Sequence, residues 1–138
     1  QQMGSALRRH GATDEQMPLT KGGTPLKGGY HFHPATRWVG DTRENFIWAA
    51  FHAAMLCEEY ESRFGKSHYC ANGIEQMFHM MGMIPEGELT EFAQCMPDEY
   101  KVEGDAITAY RNYYLYEKAR FAKWNKGRKA PEWWWKND

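Results

Sequence analysis

No C-x-x-C pair occurs in this chain, and its three cysteines, Cys57, Cys70 and Cys95, are odd in number and widely spaced. That excludes a disulfide framework and a cysteine-based zinc module, and leaves free thiols in a reducing cytoplasm. No apolar run approaches the roughly 18 to 20 residues that a membrane span needs, and no signal peptide is visible. The chain therefore reads as soluble and intracellular. Neither sign of charge dominates: Lys and Arg number 17 against 18 Asp and Glu, a formal net charge of −1. A histone-like basic protein and an acidic solvating tail are both excluded. Internal repeats and low-complexity tracts are missing, and a strand pattern is confined to a short extended piece around Tyr30–Phe32.

Three motifs that carry common chemistries are absent as well. There is no H-E-x-x-H, no G-x-S-x-G and no G-x-x-x-x-G-K-[ST]. His31 and His33 share one side of an extended segment and His68 stands near Cys70, but spacing supplies neither pair with a third ligand. No metal and no cofactor are expected. The stretch Lys21-Gly-Gly-Thr-Pro-Leu-Lys27-Gly-Gly is glycine-rich and basic, yet no strand feeds it, so it reads as a loop.

What the chain has in quantity is aromatic surface. Of its 138 residues, 15% are Phe, Trp or Tyr within an apolar fraction of 42%, enough to build a core in one ordinary-sized domain. The near-zero net charge also conceals a pattern. Residues 1–39 carry a net +3, residues 40–108 a net −9 and residues 109–138 a net +5. Two basic ends flank an acidic middle, as in a polyanion-facing surface or in ends that pack on that middle.

Periodicity predicts a mainly α single domain over 1–138, with two long helices, one or two shorter ones and long Gly/Pro-containing loops. Gln1–His10 reads as the tail of a helix stopped by Gly11, and residues 11–34 as one long loop. Asp41-Thr-Arg-Glu44 has the form of a capping box. The helix it opens runs to about Phe64, with Gly65 as its stop. Ile47, Phe51, Ala54 and Met55, widened by Trp48, His52 and Leu56, form its apolar stripe, and Glu58, Glu59, Glu61 and Arg63 its wet side. Ile74–Met83 reads as a short Met-rich helix, and residues 84–104 as a second long connection. Asp105 is a good N-cap for a last helix from Ala106 to about Asn125, with Ile107, Tyr110, Tyr114 and Phe121 along one face. A Trp-rich tail fills 127–138.

That last helix is the most informative element. Between Tyr110 and Trp124 it interleaves four Tyr, one Phe and one Trp with cationic side chains. Bases stack on such rings while Arg and Lys neutralise phosphates. Candidate nucleic-acid contacts are Arg111, Tyr113, Tyr114, Lys118, Arg120, Lys123, Trp124 and Lys126. The same spacing also suits an amphipathic helix with its aromatics in the core. A pocket between the two long helices is expected from His52, Glu59, Arg63, Arg111, Glu117 and Lys118, with His33 as a further lining residue. Glu59, Glu117 and His52 are the candidates for acid-base work. Trp133, Trp134 and Trp135 cannot all face inward on one helix, so they are expected to self-dock or to meet a second copy or a protein partner.

The ordered set His33-Pro34, Trp38, Asn45, Trp48, Leu56-Cys-Glu-Glu-Tyr60, Arg63-Phe-Gly-Lys66 and His68 resembles a family of small, largely uncharacterised proteins of tailed bacterial viruses. Met96-Pro-Asp-Glu-Tyr100, Ala109-Tyr-Arg-Asn-Tyr-Tyr114, Glu117-Lys118, Trp124 and Pro131-Glu-Trp133 extend the resemblance to about residues 33–134. That family is distantly similar to pyrimidine-dimer DNA glycosylases. The resemblance implies binding of damaged duplex DNA, extrusion of a base, and attack on the sugar carbon by an N-terminal amine assisted by a Glu on an early helix. Members of this kind carry an additional N-terminal segment, with a His-rich stretch and a Glu, ahead of the position of Gln1, and the expectation is that this chain lacks it. An N-terminal Gln tends to cyclise, which removes the attacking amine. The leading reading is thus a DNA-binding protein of the host cytoplasm or the virion. The alternative is a non-enzymatic virion or host-interaction protein that uses the Trp tail and the acidic middle.

Overall fold

Pro34 at a first helical position, preceded by a side chain able to accept from the backbone, starts a helix that periodicity alone does not reveal. His33 supplies the cap: its Nδ1 accepts from the Ala35 N–H at 3.1 Å. In the computed structural model, which describes residues 1–134, this helix is the second of five. They are α1 (Gln2–Arg9), α2 (Pro34–Asp41), α3 (Arg43–Phe64), α4 (Ala71–Phe78) and α5 (Ala106–Tyr113). The protein is mainly α, and the only β feature among the described residues is an isolated antiparallel bridge between Leu19 and Pro25. Contacts gather into two compact units, residues 1–90 and residues 91–138.

In the first unit the core forms around α1, α2 and the N-terminal part of α3. Met3, Ala6, Leu7, Trp38, Val39, Phe46 and Ala50 are buried, and Ile84 joins them from the segment after α4. The ends of α1 and α2 are tied by polar contacts. Arg9 reaches the Arg37 carbonyl at 3.2 Å and Asp41 at 2.9 Å, and His10 Nε2 donates to the Gly40 carbonyl at 2.7 Å.

The long loop expected over 11–34 has more structure than its composition suggests. It contains a 3-10 turn, Asp14–Gln16, and ends where α2 begins. Arg8 holds it down: the guanidinium donates to the carbonyls of Leu26 at 3.1–3.2 Å and Ala12 at 3.1 Å, and pairs with Asp14 at 2.6 Å. Ser5 adds a reciprocal contact, accepting from the Gly29 N–H and donating to the Gly29 carbonyl, both at 2.7 Å.

The start of α3 differs by one residue from the expected capping box. Asp41 is the last residue of α2, and Thr42 caps α3 by accepting from the Asn45 N–H at 3.1 Å. At the other end Gly65, at φ 69°, closes the helix as expected, its N–H donating to the Glu61 carbonyl at 2.8 Å. Arg43 then stitches the segment after α4 to this helix start, donating to the carbonyls of Met81, Gly82 and Ile84 at 3.2–3.3 Å. The expected helix over Ile74–Met83 is instead α4 followed by a separate 3-10 turn, Met81–Met83.

The larger correction concerns which face of α3 is dry. Only Asn45, Phe46 and Ala50 are buried along its 22 residues. Of the predicted stripe, Phe51 is 60% exposed, Met55 67% and Leu56 58%, while Glu59 and Arg63 of the expected wet side are half-buried. The stripe shares a face that stays largely open to solvent, with α4 reaching it at Phe51 through Phe78.

Candidate nucleic-acid interface

In the second unit, residues 91–105, irregular apart from a 3-10 turn at Asp98–Tyr100, form a frame for α5. Gln94 exchanges a reciprocal pair of bonds with the Val102 backbone, at 2.6 and 2.9 Å. Tyr110 Oη donates to the Ala93 carbonyl at 2.7 Å and accepts from the Cys95 N–H at 3.1 Å. Burial of this phenol pushes its pKa up, so it stays a neutral donor. Asp105 caps α5 as expected, accepting from the Thr108 N–H at 3.1 Å and its hydroxyl at 2.7 Å; those bonds hold its carboxyl below the usual range.

The final helix does not run unbroken to Asn125. Regular α geometry ends at Tyr113, a π-helical turn spans Tyr114–Lys118, and a 3-10 turn spans Ala119–Phe121. Single π turns inside helices frequently accompany functional sites. The expected apolar face is not the buried one. Ala109 and Leu115 are buried, whereas Ile107, Tyr114 and Phe121 are 59%, 50% and 63% exposed.

Around the π turn the aromatics cluster with charge. Tyr100 packs beside Tyr113 at 5.5 Å and stacks on Tyr116 at 6.2 Å between ring centroids. Its hydroxyl donates to Glu117 at 2.7 Å, and that bond pushes the Tyr100 pKa up from 10.0 to about 12. Lys118 lies over the Tyr113 ring at 5.1 Å and Arg120 over Phe121 at 4.5 Å, cation–π arrangements that hold each charge beside an aromatic face. Arg120, Lys123, Trp124, Lys126, Arg128 and Lys129 are all exposed.

No protein-family model matches this chain, and neither a curated protein nor a solved structure does.

The expected contacts divide into two sets. Tyr113, Tyr114, Lys118 and Arg120 stand together at the π turn, with Lys123, Trp124 and Lys126 following on exposed chain. Arg111 is engaged elsewhere, its guanidinium 5.3 Å over the Trp133 ring. Trp134, expected to self-dock or to meet a partner, docks within its own unit: it is 6% exposed and packs edge-on against Trp124 and Trp133 at 5.3 and 5.6 Å. Trp135 lies outside the described residues.

The pocket residues expected from the first unit have local partners. His33 is the α2 cap, His52 stacks on Trp48 at 5.0 Å, and Arg63 donates to Glu59 at 2.8 Å. The groove that this unit does form, between α3 and α4, is lined by other residues. Arg111, Glu117 and Lys118 belong to the second unit. Among the described residues, no group of three or more His, Cys, Asp or Glu is placed to hold a metal ion, and no helix is long and apolar enough to cross a membrane.

Sequence reading missed the Tyr100–Glu117 pair because the two residues are 17 positions apart, beyond any helical spacing. Titration checks it. The tyrosinate absorbance of the intact protein is expected to include a late rise centred near pH 12, and Tyr100→Phe to reduce it. Glu117→Gln should return it toward the ordinary range. Because the folded-state pKa is raised, the hydrogen bond stabilises the unit fully below about pH 10 and is lost as pH climbs through about 12.

Proposed function

We propose that the second unit binds single-stranded nucleic acid along residues 113–129. The observation that carries this reading is the exposure of large rings paired with cations: Tyr114, Tyr116, Phe121 and Trp124 all reach solvent, with Lys118 and Arg120 laid on neighbouring rings. Tyr116 and Trp124 each keep one face on a neighbouring ring, and the solvent-facing area of all four offers apolar surface to a stacking partner. Bases stack at about 1–3 kcal/mol each, while the interleaved cations neutralise phosphates. A single strand fits better than a duplex, because paired bases present only their edges to such rings. The resemblance to viral proteins distantly similar to DNA glycosylases points to the same class of partner.

Fluorescence anisotropy with a mixed-sequence single-stranded DNA oligonucleotide tests it. Affinity is expected to fall with salt at about −0.7 in log–log slope per phosphate neutralised, and Arg120→Ala with Lys123→Ala to flatten that slope by about 1.4. Phe121→Ala or Tyr114→Ala should weaken binding by about 1–3 kcal/mol per ring and leave the slope unchanged. Absence of binding at low salt, about 50 mM, would overturn the reading.

A further inference from the structure

The first unit carries an apolar feature unrelated to those rings. Beyond Ala50, α3 leaves Phe51, Met55 and Leu56 more than half exposed, and α4 runs alongside it. Between the two helices lies an open groove of about 350 Å³. Its apolar lining comes from Ala50, Phe51 and Ala54 on α3 and Ala71, Ile74 and Phe78 on α4; Phe51 and Phe78 stand 5.7 Å apart between ring centroids. Three carboxylates, Glu58, Glu61 and Glu75, also line it. No ion-pair partner for any of them is found among the described residues. The Cys57 thiol in the same groove has its pKa pushed up, chiefly by burial, so it adds no further charge.

An apolar trough between two helices accepts the hydrophobic side of a third helix, anchored by side chains at i, i+3 or i+4, and i+7. Charge decides what kind of helix. The unpaired carboxylates repel nucleic-acid phosphates and anionic lipid headgroups, and they attract Lys and Arg flanking an apolar stripe. We propose that the α3–α4 groove is a docking site for a cationic amphipathic helix of a partner protein. Apolar anchors seat against Phe51, Ile74 and Phe78, while basic side chains reach Glu58, Glu61 and Glu75. The site lies in residues 1–90 and is independent of the nucleic-acid reading of the second unit.

The probe is a fluorescein-labelled Leu/Lys peptide of about 18 residues, five helical turns, with Leu on one helical face. Two controls accompany it: a Leu/Glu peptide of the same pattern, and a Leu/Lys peptide of the same composition without an apolar face. Anisotropy on the intact protein is expected to show binding of the first, none of the second, and at least tenfold weaker binding of the third. The triple variant Glu58→Gln, Glu61→Gln, Glu75→Gln should weaken binding at least tenfold and reduce its salt dependence. Phe51→Ser should do as much at unchanged salt dependence. Both variants alter exposed side chains, so an unchanged thermal melt is expected, and each should bind single-stranded DNA as the parent does. Equal binding of Leu/Lys and Leu/Glu peptides would overturn the proposal, as would affinity that survives both variants. Self-association abolished by Phe51→Ser, seen by light scattering, would also overturn it, since the occupant would then be a second copy.

Discussion

Asn45→Leu is expected to destabilise the first unit by about 3 kcal/mol, a fall in melting temperature of roughly 15 °C for a unit of this size. Asn45 is fully buried. Its amide nitrogen donates to the Trp38 carbonyl at 2.9 Å and to the Thr90 hydroxyl at 2.8 Å, and its carbonyl accepts from the Thr90 N–H at 3.0 Å. One side chain thus joins α2, α3 and the last residue of the unit. Leucine matches the volume and supplies none of the three bonds, so the Trp38 carbonyl, the Thr90 hydroxyl and the Thr90 N–H each lose the one made by Asn45. Each lost bond costs about 1 kcal/mol. Thr90→Val separates the contributions: it removes one bond, keeps the backbone contact, and is expected to cost about 1 kcal/mol. Urea melts of the three proteins read the difference. Equal midpoints for Asn45→Leu and the parent would show that this knot carries no stability.

Gly28→Ala should cost about 3 kcal/mol, for two reasons that a second variant separates. Gly28 sits at φ +84°, where an L side chain is strained by about 1–2 kcal/mol. A Cβ there would also stand 2.6 Å from the Ser5 backbone nitrogen and 2.8 Å from its Cα. Those atoms belong to α1 and cannot move aside without disturbing the Ser5–Gly29 exchange that seats the loop. Gly11 has a similar φ, +94°, and nothing within 4 Å of the same position. Gly11→Ala is therefore expected to show the conformational cost alone, about 1–2 kcal/mol. Thermal denaturation compares the two directly. Similar melting temperatures for both variants would mean that the close approach to α1 contributes nothing.

Signals confined to a few consecutive residues were readable in advance. Asp105 and Gly65 bound their helices because each cap is a contact between neighbours in the chain. The cap of α3 was misplaced by one residue because Asp41-Thr42 offers two adjacent capping side chains, and the choice falls to Thr42 once Asp41 is drawn into α2 and its bond with Arg9. Helix α2 itself, eight residues long, is too short for a period of 3.6 to declare itself. Its His33-Pro34 start was the one available sign.

The candidate interface was legible in outline for the same reason. Rings and cations at residues 110–126 alternate along the chain, and their alternation is visible without a fold. Lys118 over Tyr113 and Arg120 over Phe121 are short-range consequences of that order. Tyr100 beside Glu117, the engagement of Arg111 by Trp133 and the burial of Trp134 are not, since each joins residues far apart in sequence.

Helical class, the helix ends at Gly65 and Asp105 and the interleaving of aromatic with basic residues thus follow from composition and local spacing, because they arise from interactions within one or two turns. Which helical faces are dry does not. Periodicity groups Phe51, Ala54 and Met55 on one side of α3, and groups Ile107 of α5 with Tyr114 and Phe121 of the turns that follow it, yet burial requires a second element to arrive there. In α3 the covering contacts fall instead on Asn45, Phe46 and Ala50. The stripe left uncovered becomes one wall of the α3–α4 groove, and the rings left uncovered near the π turn become the proposed nucleic-acid surface. Hydrophobic burial is a property of pairs of surfaces, and only the folded chain supplies the second surface.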